Sequence, residues 1–139
     1  MTRTMRCEIV SAQRELFSGE IESIVAPGAE GELGILPGHT PLLTPIRPGP
    51  LRVILEGGQE QVFFISGGFI EVQPEGVIVL SDTGVRAADI DEAAAEKARE
   101  EAERLLSSRE GDFDYASAAA ELADAVARIR TIKKLRERG

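Results

Sequence analysis

One cysteine, one histidine and no tryptophan occur in the 139 residues of this chain. The lone Cys7 excludes an internal disulfide and a cysteine-ligated metal cluster. With His39 as the only imidazole and no clustered carboxylate triad, the donor set of a catalytic zinc or iron site is missing. A Ser-His-Asp device would depend on His39 alone. Ser66, before Gly67-Gly68, lacks the glycine on both sides that a nucleophile elbow needs. Neither a Gly-x-x-x-x-Gly-Lys-Ser/Thr phosphate loop nor a dinucleotide fingerprint is present. No apolar run approaches the roughly 18 residues of a membrane span. Met1 to Arg6 has no apolar stretch behind it, so no secretory signal is expected. These absences point to a soluble, cytoplasmic chain that meets a membrane only through a partner, and they leave little room for an enzyme.

Charge is scarce in one sign. The net charge of −8 argues against nucleic acid as a partner. It is also uneven: from Val126 onward stand Arg128, Arg130, Lys133, Lys134, Arg136 and Arg138 against the single acid Glu137, a tail of +5 on a body of −13. Such a tail either suits an acidic partner or is a solvated helix end that offsets the helix dipole.

The densest stretch runs from Glu30 to Leu43, Glu-Gly-Glu-Leu-Gly-Ile-Leu-Pro-Gly-His-Thr-Pro-Leu-Leu. Glycine opens backbone angles closed to other residues and proline fixes its own, so this is a shaped loop around a short strand at 32–36. Leu33, Ile35 and Leu36 are candidates to hold it against a core. Glu30 and Glu32 read as an exposed interaction edge rather than an acid/base pair, because nothing nearby supplies a pocket. His39 reads as a turn residue bonded to backbone.

Around this stretch the pattern is that of short strands. Met5 to Val10 alternates, which places Cys7 in the core. Glu15 to Glu20 reads as a turn with two anchors, followed by a strand at 21–26. Leu51 to Leu55 and Gln61 to Ser66 are joined across Gly57-Gly58, a hairpin signal. Phe69 to Gln73 and Val77 to Leu80 follow, the last reading as a strand buried on both sides. Short strands at this spacing, cut by Gly and Pro, make a sandwich or barrel.

After Asp82-Thr83-Gly84 the texture changes. Proline is gone beyond Pro74 and glycine is absent from Val85 to Glu110. Asp89 is a plausible N-cap for a helix from Ile90, with Asp91 and Glu92 in its first turn. A break at 107–111 precedes a second helix capped by Asp112 or Asp114, with the stripe Tyr115, Ala118/Ala119, Leu122, Val126, Ile129. Between Ala88 and Gly139 there are thirteen alanines and only eight Leu, Ile or Val. The hairpin seam is therefore thin, while each helix is intrinsically good. Two helices that persist after separating are one outcome; a hairpin packed permanently on the sandwich is the other.

The chain resembles the epsilon subunit of bacterial F-type ATP synthase along nearly its whole length. The matching stretches are Val10-Ser11-Ala12, Phe17-Ser18-Gly19, Glu30-Gly31-Glu32-Leu33-Gly34-Ile35, Pro37-Gly38-His39 and Pro41-Leu42-Leu43-Thr44. Ser66-Gly67-Gly68, Glu71-Val72-Gln73-Pro74 and Asp82-Thr83 continue the set in order. The resemblance implies a flattened antiparallel β-sandwich of about ten strands over 1–86 and a two-helix antiparallel hairpin over 87–139. It implies a non-catalytic subunit of the rotor central stalk, at the cytoplasmic face of the bacterial plasma membrane. Its implied partners are the gamma subunit, the c-ring and, with the hairpin extended, the alpha/beta catalytic head. The loop Glu30, Gly31, Glu32, Leu33, Gly34 and His39 is then the c-ring contact. Arg128, Arg130, Lys133, Lys134, Arg136 and Arg138 are then the inhibitory contact that suppresses ATP hydrolysis.

Some members of that family bind ATP on the folded hairpin through Ile/Leu-Asp-x-x-Arg-Ala. Here the stretch is Ile90-Asp91-Glu92-Ala93-Ala94-Ala95. Ala94 removes the arginine, a charge-assisted partner for phosphate. Ile90, Asp91 and Arg128 are what remains of such a site, and no cofactor is implied. A stand-alone nucleotide sensor built on the hairpin is the alternative reading; an enzyme on a β-sandwich is the third.

Overall fold

The computed structural model describes residues 3–108 and 114–137. Nine strands come first: β1 (Met5–Ser11), β2 (Glu15–Gly28), β3 (Gly31–Ile35), β4 (Leu42–Ile46), β5 (Gly49–Leu55), β6 (Glu60–Ile65), β7 (Gly68–Gln73), β8 (Gly76–Ser81) and β9 (Gly84–Arg86). A 3-10 turn, Ala87–Asp89, leads to the helices α1 (Glu92–Ser107) and α2 (Tyr115–Arg136).

The sandwich-like sheet, followed by two helices, is the expected architecture with nine strands in place of about ten. One reason is β2. The stretch read as a turn plus a separate strand is a single strand of 14 residues, and it absorbs its irregularity as a register shift between Ile21 and Ser23. Length lets β2 serve two neighbours in succession. Its first half pairs with β1, from Ile21 opposite Met5 to Glu15 opposite Val10. Its second half pairs with β3, from Ile24 opposite Ile35 to Gly28 opposite Gly31. Because β1 also pairs with β8, the order β1-β8-β7-β4-β2 closes on itself, which leaves few open edges. The β1–β8 pair is parallel in an otherwise antiparallel sheet.

Inward positions alternate as a half-buried sheet requires. Cys7, Ile9, Ile21, Ile24, Leu51, Val53, Phe63, Ile65, Ile70 and Val79 are fully buried in one interior. Burial pushes the Cys7 thiol up from 9 to about 12, with Glu8 adding to the shift, so it is an inert core side chain. The Gly57-Gly58 hairpin forms as expected, with positive φ of 97° and 94° and the closing bonds Leu55 N to Gln59 O at 2.7 Å and Gly58 N to Leu55 O at 2.9 Å.

Three local expectations are corrected. The strand β8 is not buried on both sides: Val77 and Val79 point inward, whereas Leu80 is 52% exposed. Helix α1 starts two residues later than expected, because Asp89 falls in the 3-10 turn and Asp91 is the cap that accepts from Ala94 N at 3.0 Å. On α2 the cap is Asp114, accepting from Ser117 N at 3.1 Å, while the alternative Asp112 and the helix break at Gly111 lie outside the described residues. The stripe on α2 also differs. Tyr115 is exposed, and the buried residues are Ala118, Ala125, Ala127, Ile129, Thr131 and Ile132. Two surfaces, α1 and the sandwich, compete for one helix, so no single stripe describes its buried face.

Candidate functional site

The Glu30 to His39 loop is built by the turn between β2 and β3. A Cβ on Gly28 would come within 2.6 Å of the Gly31 carbonyl, so only glycine permits the close return of the chain there. Ile35 is buried and Leu33 packs on the core, which anchors β3. Leu36 is 63% exposed and does not anchor it. Glu30, Gly31 and Glu32 project into solvent and, with Leu33, Thr44 and Pro45, line one surface groove. Gly34 and His39 are exposed but lie outside that lining. His39 is held as a turn residue: its ring Nδ1 lies 2.7 Å from the Thr40 carbonyl, and its backbone N–H donates to the Leu36 carbonyl at 3.1 Å.

A second surface went unread in the sequence. On the outer face of the sheet, Pro45 of β4 stands opposite Phe69 of β7, Phe69 opposite Leu80 of β8, and Leu80 opposite Val10 of β1. Leu43 lies two residues along β4 on the same side. Phe69, Leu80 and Leu43 are 49%, 52% and 66% exposed. An apolar row across four strands is a contiguous patch, not scattered surface leucines. The signal was present: Phe69 and Leu80 occupy outward positions of alternating strands.

The third surface is the hairpin. Ala95 and Ala102 on α1, and Ala118, Ala125 and Ile132 on α2, recur at seven-residue spacing and are buried. Four of these five positions are alanine, so little side-chain bulk lies between the helices there. Against the sandwich, α2 lies on β5 and β6. Phe63 and Phe64 are neighbours with opposite duties. Phe63 sits in the sandwich interior, whereas Phe64, Val62 and Pro50 are buried outside it, on the face the helical segment covers. The Arg128 guanidinium stacks 4.5 Å from the Phe64 ring centroid. Thr131, fully buried, donates its hydroxyl to the Ala127 carbonyl at 2.8 Å, so its polar group is satisfied within α2 itself.

The basic residues divide into two sets. Arg128 Nε pairs with Asp124 Oδ2 at 2.8 Å, and Arg136 bridges the two helices to Glu92 at 2.5 Å. That partner also raises the Arg136 guanidinium further above its usual range, chiefly through the hydrogen bond to Glu92. Arg130, Lys133 and Lys134 form no ion pair with a described residue; the first two line an open groove with Glu96 and Arg99. Arg138 lies outside the described residues. Of the nucleotide-motif residues, Asp91, Ala94 and Arg128 share a groove with Asp124, Ala95, Ala98 and Ala125, but Ile90 does not line it. Asp91 is occupied as a helix cap and Arg128 is engaged on both sides. The groove thus sets two carboxylates against one cation, a poor cradle for polyphosphate. Among the described residues no group of three His, Cys, Asp or Glu side chains could hold a metal, and no helix is long and apolar enough to cross a membrane.

Comparison with known proteins agrees with this organisation. Residues 4–87 match the beta-sandwich domain of the ATP synthase Delta/Epsilon chain, and residues 88–133 match its long alpha-helix domain. The chain is 56% identical to the ATP synthase epsilon chain of Chromohalobacter salexigens over 136 residues, 98% of this chain and 96% of that one. A chain in the Euglena gracilis mitochondrial ATP synthase OSCP/F1/c-ring assembly superposes with a TM-score of 0.74 at 25% identity, over 97% of this chain and 81% of that one. The fold recurs in the central stalk/c-ring of Tetrahymena thermophila mitochondrial ATP synthase, with a TM-score of 0.56 at 17% identity and coverage of 96% and 97%.

Proposed function

Because the chain belongs to the ATP synthase Delta/Epsilon family, and within it to the epsilon chains of the F-type central stalk, we propose that it couples the rotor and restrains ATP hydrolysis. In this reading it works at the cytoplasmic face of a bacterial plasma membrane, and residues 1–86 form the docking unit. The apolar row of Val10, Pro45, Phe69 and Leu80 receives the gamma subunit, since a rotor contact that transmits torque needs a dehydrated, packed surface. The Glu30 to Leu33 turn, with Gly34 and His39 beside it, meets the c-ring. Residues 87–139 form the regulatory unit. Their basic residues Arg128, Arg130, Lys133, Lys134, Arg136 and Arg138 engage the alpha/beta head when the hairpin extends. The subunit itself carries out no chemistry.

The observation that carries the regulatory part is the seam. Alanines hold four of its five heptad-spaced buried positions, the Thr131 hydroxyl needs no partner outside α2, and Asp91 and Asp114 each cap the helix that follows them. Separation therefore leaves both helices intact. The test is truncation after Gly111 in the assembled enzyme, where gamma stays bound and hydrolysis is read directly. ATP hydrolysis should rise while synthesis persists. Unchanged hydrolysis under every nucleotide condition and proton-motive force would make the hairpin a fixed brace. The alternative of a stand-alone nucleotide sensor loses support from the two carboxylates that flank Arg128 in its groove.

A further inference from the structure

The same guanidinium groups that would meet an acidic partner are already occupied inside the folded chain. Arg136, in the last turn of α2, reaches across the hairpin to Glu92 in the first turn of α1 at 2.5 Å. Arg128, two turns earlier, is clamped between Asp124 at 2.8 Å and the face of Phe64 at 4.5 Å. We propose that Phe64 and Glu92 form an intramolecular receptor that holds Arg128 and Arg136 in the resting state. Freeing α2 and releasing these two guanidinium groups from the rest of the fold are then one event. This inference rests on the inhibitory reading of the hairpin given above.

The geometry makes the two arginines different from their neighbours. Arg130 and Lys133 face an open groove and form no ion pair with a described residue, so their charge is available in either arrangement. The contacts of Arg128 and Arg136 differ in kind as well. Glu92 lies on the other helix and Phe64 on the sandwich, so both contacts break when α2 leaves. Asp124 lies one turn away on α2 and travels with Arg128, keeping one side of that guanidinium paired. Two contacts in separate places, one to each neighbour of α2, register the helix against both. The cation–π contact has a fully buried ring on one side and an Arg128 side chain only 34% exposed on the other, so salt weakens it less than a fully exposed pair. The Arg136–Glu92 pair is exposed and is screened.

Removing charge from Arg128 or Arg136 weakens the resting and the extended arrangements together, so its net effect is small. Removing Glu92 weakens the resting arrangement alone.

The test uses two measurements. Spin labels at Gln59→Cys on the sandwich and Ala120→Cys on α2, both exposed positions, report the fraction of isolated full-length chains with α2 detached; buried Cys7 takes no label. Glu92→Gln should raise the ratio of detached to docked chains about twofold to fivefold, the range for an exposed ion pair. Phe64→Leu, which keeps apolar bulk and removes the ring, should raise it further with the sandwich still folded by circular dichroism. High salt should detach the parent chain and add little to Glu92→Gln. In the assembled enzyme Glu92→Gln should deepen inhibition of hydrolysis, whereas Arg136→Gln should not. An unchanged detached fraction in both Glu92→Gln and Phe64→Leu overturns the receptor. A raised fraction with unaltered hydrolysis keeps the receptor and removes the inhibitory reading instead.

Discussion

At the scale of single residues, function and stability are carried by different side chains, and Glu32 shows the separation. It stands exposed beside the β2–β3 turn, opposite Pro27 in the register, with the core contacts of that hairpin supplied by Leu33 and Ile35. Glu32→Lys should therefore change unfolding free energy by no more than about 0.5 kcal/mol. Coupling of proton flow to synthesis should fall, because a charge is reversed on the proposed ring contact. Thermal unfolding and proton pumping measured on the same preparation check both halves. A large stability loss with intact coupling would make the turn a core element. Phe64 is the opposite case: one residue from Phe63 in sequence, it belongs to another interface altogether.

At the scale of elements, the hairpin seam is where small changes have large effects. Ala102 has no exposed surface and lies on the buried face of α1, which packs on α2. Leucine at that position adds three carbons to a seam with no room for them, at a cost of about 1–3 kcal/mol. Ala102→Leu should loosen the hairpin without touching the sandwich. Ala98 is exposed, and Ala98→Leu, on the same helix, should do little. Hydrogen exchange resolves the two: amides of α1 and α2 lose protection in Ala102→Leu only, while those of β1 and β8 stay as slow as in the parent. Equal loss across strands and helices would show that hairpin and sandwich unfold as one unit. Within α1, Arg99 bonds Glu96 at 2.8 Å and Glu103 at 2.9 Å, support that the helix retains when it stands alone.

At the scale of the whole molecule, the balance of charge decides what the hairpin attracts. The body is acidic and the end of α2 is basic, which favours an acidic protein surface over nucleic acid. The groove holding Asp91, Ala94, Asp124 and Arg128 has more carboxylate than guanidinium. ATP should bind the isolated chain with a Kd well above micromolar. Titration calorimetry measures this, and a micromolar, one-to-one isotherm would show that Arg99 or Arg130 swings in to compensate.

Much of the sandwich and the hairpin was legible in the sequence. Alternation at Met5 to Val10, the Gly57-Gly58 turn and the alanine-rich tail are local signals, set by backbone preference and by the period of side chains on a strand or helix. The resemblance through Glu30 to His39 and its companion stretches named the family for the same reason, since each stretch is a local motif. The order of the strands was not legible. Whether β2 runs unbroken for 14 residues, and closes the sheet by pairing with β1 along its first half and with β4 at its end, depends on partners distant in sequence. The apolar row across β4, β7, β8 and β1 exists only once those strands are neighbours. The same is true of Arg128 on Phe64 and Arg136 on Glu92, contacts spanning 64 and 44 positions. Sequence determined which helix is basic; only the packing of that helix between α1 and the sandwich decided which of its charges are held and which are free.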